Sequence, residues 1–298
     1  MSFRAQSLSL VLPLPLLLAA CVGPELPRNP RLPCEEAEGC TPVAPSSNID
    51  LVQALGIDDP QVVGITVAPD SGQRYLLDRI EGIFELHDDG STSLLRSNAE
   101  LPVPEFLPRS LWTDFVAMGE DRFAITALSD GFLLDLRSET MEQYFCYVPG
   151  DMEPEFNQLT QSVAFDASNG VIYAQPITFE DWVEERTPLS ASIGSYSLEG
   201  GQPVAWFDLE LSDFLAGGAA VDAQGRLLLG KDSDIFLFDP AHPADPRHIH
   251  QLPAGSVLEG GLIVDIQGLA VDTARSELLV VDGASDQIII VEHPAQGL

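Results

Sequence analysis

The sequence predicts an all-β chain folded as a β-propeller of four-stranded blades, and three observations carry that prediction. One strand–turn–strand–turn–strand phrase recurs five times; its first strand ends at Val67, Met118, Phe165, Val221 and Val271, at intervals of 51, 47, 56 and 50 residues. A period of about 40–50 residues built wholly of short strands is the signature of propeller blades. No stretch between residues 60 and 292 sustains a helical period. The strands also grade in character. First strands such as FVAM, VAF, AAV and LAV are small and apolar, as a crowded centre requires, whereas RHIHQL and TSLLRS mix polar and apolar residues like half-exposed outer strands.

Taken in order, the repeats occupy residues 64–97, then 114–149, then 162 onward, resumed at SIGSYSLEGGQPVAWFDLEL, then 219 onward, and finally 268–292. The last repeat, GLAVDTARSELLVVDGASDQIIIVE, supplies three strands and lacks an outer one. A propeller ring needs its first and last blades joined, and residues 49–57, or an extended piece nearby, are expected to complete the last blade. Five blades follow; the alternative is six, with a degenerate blade in residues 98–112. Between the second and third strands of the third repeat lies PITFEDWVEERTPLSAS, residues 176–192, far longer than the equivalent loops elsewhere. It is expected to form a lid or partner site presenting Trp182, or else a short surface helix.

Ahead of the repeats, residues 1–20 carry one arginine, Arg4, and an apolar run from Leu8 to Ala20. That run is shorter than the about 20 residues a stable span needs, so it reads as an export signal. Residues 21–48 are rich in proline and polar residues and read as a semi-stiff tether, leaving 49–298 as the folded domain. Of the four cysteines, Cys34 and Cys40 can close a small loop; alternatively one of them pairs with Cys146.

The charge excludes one class of partner. Forty-six acidic residues face 14 basic ones, of which only Lys231 is a lysine, for a net charge of −32. Such a chain repels phosphate backbones, so nucleic acid is not expected. It is expected to be a soluble monomer with an acidic, solvated surface that invites cations or basic partners.

Two resemblances sharpen this reading. The end of the apolar run, Leu18-Ala19-Ala20-Cys21, resembles the lipobox of bacterial lipoproteins. That resemblance implies cleavage before Cys21, a diacylglyceryl thioether on its sulfur, and several acyl chains holding the protein to a membrane. Val22 stands where an aspartate would imply inner-membrane retention, so the outer membrane is expected, with the domain on its periplasmic or its surface side. GLAVDTARSELLVVD and GITVAPDSGQRYLLD resemble the repeats of NHL-type, gluconolactonase-like and phytase-like propellers across most of residues 60–292. That phrase encodes strand and turn and speaks to fold.

Candidate site residues follow from where propellers usually bind ligands: the segments entering each first strand and the loops joining strands two and three. The loops bring Asp78, Arg79 and Glu81, then Asp130, then Lys231, Asp232 and Asp234, then Asp282 and Asp286; the segments bring Trp112, Asp114, Gln161 and Gln267. This carboxylate-rich ring suits calcium or magnesium, with Asp78, Asp114, Asp232 and Asp282 as ligands. The recurring Asp70, Asp166, Asp222 and Asp272 are read as turn formers. His248 and His250, on one side of an outer strand, are a weaker metal pair. There is no G-x-S-x-G, no H-E-x-x-H and no phosphate-binding glycine loop. Gluconolactonase-like enzymes use a Glu/Asn/Asp metal set whose glutamate has no counterpart here, and Arg79 with Lys231 make a thin phosphate site for a phytase-like enzyme. The sequence therefore favours an envelope binding or assembly module for a protein or small ligand, with a calcium- or magnesium-dependent hydrolase as the alternative.

Overall fold

Each repeat folds as a four-stranded antiparallel sheet, and five such sheets stand around a common centre. The computed structural model describes Cys34, residues 39–104, Leu107, and residues 111–128, 130–146, 158–179, 188–198, 203–209, 216–244, 246–252 and 265–292. The signal segment, Cys21 and Trp182 lie outside the described residues.

The chain first lays down β1 (Thr41–Pro42), β2 (Ser47–Asp50) and a short helix α1 (Leu51–Leu55). Blade I is β3 (Val62–Val67), β4 (Arg74–Asp78), β5 (Gly82–Leu86) and β6 (Thr92–Ser97). Blade II is β7 (Trp112–Gly119), β8 (Arg122–Ala127), β9 (Asp130–Asp135) and β10 (Thr140–Cys146). Blade III is β11 (Gln158–Asp166), β12 (Val171–Phe179), β13 (Pro188–Ser197) and β14 (Pro203–Leu209). Blade IV is β15 (Gly218–Val221), β16 (Leu227–Lys231), β17 (Asp234–Phe238) and β18 (Arg247–Gln251). Blade V is β19 (Ile266–Asp272), β20 (Glu277–Asp282) and β21 (Gln287–Glu292), with β2 as its fourth strand.

Burial explains the gradient of composition. All five residues of β4 are buried, because a neighbouring blade covers each face of the sheet, whereas every residue of the outer β6 is at least partly exposed. An apolar core fills each of the five seams. Tyr75, Leu77 and Ile83 meet Phe115, Phe123 and Ile125 between blades I and II. Ala124 with Val163 and Ile172, and Phe145 stacked on Tyr196 at 4.3 Å, join II to III. Ile193 and Tyr173 meet Leu229 and Phe236 between III and IV; Leu228 and Ile249 meet Leu278 and Val280 between IV and V. Ile65, Leu76 and Phe84 meet Leu279, Val281 and Ile288 between I and V. A blade alone would expose both faces, so the ring stands or falls together.

Ring closure uses two devices. β2 pairs antiparallel with β21, Ser47 opposite Ile290 and Asp50 opposite Gln287. The closing strand therefore ends at Asp50 and does not extend to residue 57. Asp50 caps α1 by accepting from the Gln53 N–H at 2.9 Å, and Gly56, at φ +68°, ends the helix by donating to the Val52 carbonyl. The second device is a buried ion pair. Arg74 of blade I donates to Asp272 of blade V through Nε at 2.9 Å and Nη2 at 2.7 Å, and pairs with Glu277.

Three further expectations meet the structure here. The described residues of 98–112 contain no additional blade; Leu101 and Leu107 are buried in the core between blades I and II. Part of the supposed loop at 176–192 is strand, since β12 and β13 keep pairing through Ile177 with Ala191 and Phe179 with Pro188. The proline-rich approach also joins the body before residue 49: Thr41 and Pro42 lie parallel to His250 and Gln251, and Cys34 is bonded to Cys40. That bond selects one of the two cysteine pairings left open by the sequence.

Candidate ligand cavity

The innermost strands β3, β7, β11, β15 and β19 run from an upper face, where they begin, to a lower face, where they end. Near the upper face they approach backbone to backbone. A Cβ on Gly218 would lie 2.6 Å from the Leu269 nitrogen, and one on Gly268 would lie 2.9 Å from the Ile65 nitrogen. A Cβ on Gly64 would come within 2.6 Å of the Asp114 carboxylate. Asp114 in turn accepts from Phe115 N–H at 2.8 Å and from Val163 N–H at 3.0 Å, stitching β7 to β11. Burial drives its carboxyl well above the ordinary range, against the pull of those two hydrogen bonds.

The residues expected to form a ring on this face are largely committed to structure. Asp78 is buried and accepts from the N–H groups of Gln61, Ile80 and Glu81 at 2.6, 2.9 and 2.8 Å. Asp282 is buried and accepts from Asp265 N–H, Ala284 N–H and the Ser285 hydroxyl. Asp232 is exposed at φ +53°, its carbonyl accepting from Ile266 N–H. No three of Asp78, Asp114, Asp232 and Asp282 bring ligand atoms within 4.8 Å of one another. They sit on different blades, and most of their oxygens face backbone donors.

Trp112 is fully buried between blades I and II, its Nε1 donating to Asn98 at 3.2 Å. It is core, not an aromatic wall at a channel mouth. Arg79 donates from Nε to the Trp112 carbonyl, Asp130 accepts from Gln143, and Asp234 accepts from Gln251. Glu81 is exposed, and Gln161 and Lys231 are half-buried. Gln267 bonds Asp265, whose carboxyl is held high by desolvation and then by the charges of Asp232 and Asp282. Asp286 is held high by desolvation, then by Asp59, Asp282 and Asp50. Among the described residues the one metal-like grouping is Cys34, Cys40 and His248, whose two sulfurs are bonded to each other. His248 stacks on Phe236, and His250 meets the Thr41 carbonyl.

The lower face is different. Here the innermost strands enclose a cavity of about 600 Å³, within the range that small-molecule sites occupy. Its wall is a ring of half-buried apolar side chains, one from each blade: Val67, Val116, Phe165, Val221 and Val271. Its rim is made of the turns that follow, with Asp70, Asp166, Asp222 and Asp272 among small neighbours such as Ser71, Ala167, Ala223 and Thr273. Three of these aspartates are buried turn formers. Asp166 accepts from Ser168 and Asn169 N–H, Asp222 from Gln224 and Arg226 N–H, and Asp272 from Arg275 N–H. Asp70 is exposed.

The rim is uneven. Four of its turns hold four to six residues between strands, but blade II turns within Glu120 and Asp121 alone and adds no turn residue to the lining. The Asp70 carboxylate leans toward blade II, 3.2 Å from where a Cβ on Gly119 would sit. Val67, Phe165, Val221 and Val271 were visible as repeat anchors in the sequence, whereas in blade II the anchor was Met118 and the wall residue is Val116, and nothing local says that these side chains leave space between them.

With this geometry in place, comparison with known proteins adds the fold and little more. No family model matches the chain, and no curated protein matches it. Among solved structures, glutaminyl cyclase of Myxococcus xanthus aligns at a TM-score of 0.52 and 11% identity, covering 84% of this chain and 97% of that one. A gluconolactonase of Xanthomonas campestris aligns at 0.49 and 14%, covering 78% and 72%. The extracellular domain of a hybrid two component system of B. thetaiotaomicron aligns at 0.43 and 12%, and the chain spans 27% of its length. The likeness is one of fold. The chain is a five-bladed β-propeller.

Proposed function

We propose that this chain is an exported, lipid-anchored β-propeller of the cell envelope that binds a small ligand in its lower cavity and works as a monomeric binding module. The cavity carries this reading. It is large enough for a small molecule, walled by apolar side chains from all five blades, and rimmed by polar turns. The lipobox-like Leu18-Ala19-Ala20-Cys21 supports the anchor, and no helix among the described residues is long and apolar enough to cross a membrane. The calcium- or magnesium-dependent hydrolase reading finds no matching donor set among the described residues, because Asp78, Asp114 and Asp282 are buried against backbone donors.

Two measurements test this. Metabolic labelling with a fatty acid should mark the wild-type protein and not Cys21→Ser; labelling of both would remove the anchor. A thermal-shift screen of small molecules should yield stabilisers of the wild type that fail on Ala223→Trp, a change at an exposed rim position that would block the cavity. A ligand at 100 times its dissociation constant stabilises by about 2.7 kcal/mol, several degrees in Tm. Stabilisers that act equally on Ala223→Trp would place binding elsewhere.

A further inference from the structure

The charge around the cavity narrows the class of its ligand. This step rests on reading the cavity as a binding site. Among the lining residues there is no lysine, arginine or histidine; the four ionisable groups are all aspartates. Two of these are already matched within the fold. Asp222 is paired with Arg226 at 2.7 Å, and Asp272 with Arg74 and Arg275 at 2.7 and 2.9 Å. The other two, Asp70 and Asp166, have no cationic side chain within ion-pair distance among the described residues. Asp166 is buried and bonded to the neutral Asn169 amide at 2.7 Å, which leaves Asp70 as the exposed, unmatched carboxylate of the rim.

Position reinforces charge. Asp70 leans toward blade II beside Gly119, and the turn that follows Gly119 is Glu120-Asp121. Asp121 is matched by Arg137 at 2.8 Å, and no side-chain cation is placed against Glu120 among the described residues. The negative field is felt nearby. The Tyr75 phenol, which donates to the Glu120 carbonyl, is pushed up to about 12 by burial first and then by Glu85, Glu120, Asp121 and Asp70. The cavity thus has a ring of apolar wall side chains and an unneutralised carboxylate on its rim. Apolar bodies gain by leaving water for such an interior, and a charged end is tolerated where it stays hydrated beside an opposite charge.

We propose that the lower cavity takes a small amphiphilic amine, its apolar body against Val67, Val116, Phe165, Val221 and Val271 and its ammonium at the rim beside Asp70. A carboxylate-bearing ligand of the same shape is disfavoured by that rim, and a neutral one is accepted more weakly.

The test is calorimetric titration of the intact protein at low ionic strength with three matched probes: 4-phenylbutylamine, 4-phenylbutanol and 4-phenylbutanoate. The amine should bind most tightly, the alcohol about two- to fivefold more weakly, and the acid more weakly still, the scale of one exposed ion pair. Asp70→Asn should weaken the amine about two- to fivefold and leave the alcohol unchanged, with an unaltered melting temperature showing that the fold is intact. Ala223→Trp should abolish binding of both. Equal affinity for amine and alcohol, or an amine affinity indifferent to Asp70→Asn, would overturn the amine assignment while leaving the cavity as a site. Failure of all three probes at millimolar concentration, or binding unaffected by Ala223→Trp, would overturn the cavity reading and the amine assignment with it. Preference for the acid would overturn the assignment outright.

Discussion

Replacing Arg74 with methionine keeps an unbranched apolar stem and removes the charge that ties the first blade to the last. In the native ring the Arg74 side chain is 6% exposed and its partner Asp272 is fully buried, joined by two hydrogen bonds of 2.9 and 2.7 Å. Removing one member of a buried pair costs about 3–5 kcal/mol, because the remaining charge is left without compensation. Asp272 would keep Arg275, whose Nη1 lies at 2.9 Å and whose N–H lies at 3.1 Å. The lower end is therefore expected, about 3 kcal/mol, or about 6–12 °C in Tm for a chain of this size. The loss should depend on pH. Burial alone would raise the Asp272 carboxyl, but hydrogen bonds and charge from Arg74 and Arg275 outweigh it and hold the group below its ordinary value. A carboxyl depressed in the folded state stabilises fully above its unfolded value of about 3.9, and that contribution fades as pH falls through the folded value. The gap between wild type and Arg74→Met should therefore be widest at neutral pH and shrink below about pH 4. Scanning calorimetry at pH 7 and in acid reads both quantities. A gap under about 1 kcal/mol at pH 7, or one unchanged in acid, would show that this pair does not hold the ring closed.

Further expectations concern the centre, the upper face and the closing strand. Gly218→Ala forces a Cβ to within 2.6 Å of backbone and should cost about 3 kcal/mol by denaturant unfolding. Gly56→Ala meets nothing within 4 Å and carries only the strain of φ +68°, about 1 kcal/mol; equal costs would refute the close-packing argument. Burial raises the Asp114 carboxyl in the fold, so the unfolded chain gives up this proton first and the native state weakens as pH climbs above about 4. The melting temperature of Asp114→Asn relative to wild type should accordingly improve between pH 4 and pH 8, and a constant offset would count against this account. Deleting residues 1–50 unpairs Ile288–Ile290 on β21 and should give aggregates by light scattering; a chain beginning at Leu32 should melt like the whole protein.

Much of the architecture was legible because it is written in short-range pattern. Alternation, small apolar first strands and Asp/Gly turns recur about every 50 residues, and the shortage of one strand in the last repeat pointed to the N-terminal segment as its complement. The candidate site was far less legible. In β7 a register shift lies between Trp112 and Asp114, and both side chains are buried where their place at the entry to a first strand had suggested a channel mouth. Asp78 and Asp282 look like free carboxylates in a string of letters, and only the loop conformation around them turns their oxygens toward backbone donors. The Asp50 cap and Gly56 stop of α1 were present as residues, but five helical positions are too few to show a period.

The five visible repeats, the strand order within each blade and the need for a closing strand came from the sequence alone, since each depends on the hydrophobic period of contiguous residues, while the structure decided five blades against six. Which face of the ring opens was decided by tertiary structure. That outcome rests on Gly64, Gly218 and Gly268, drawn from three blades, letting backbones touch above, while Val67, Val116, Phe165, Val221 and Val271 stop short of one another below. Space between side chains that are about 50 or more residues apart has no local signature; it exists only once all five blades are in place.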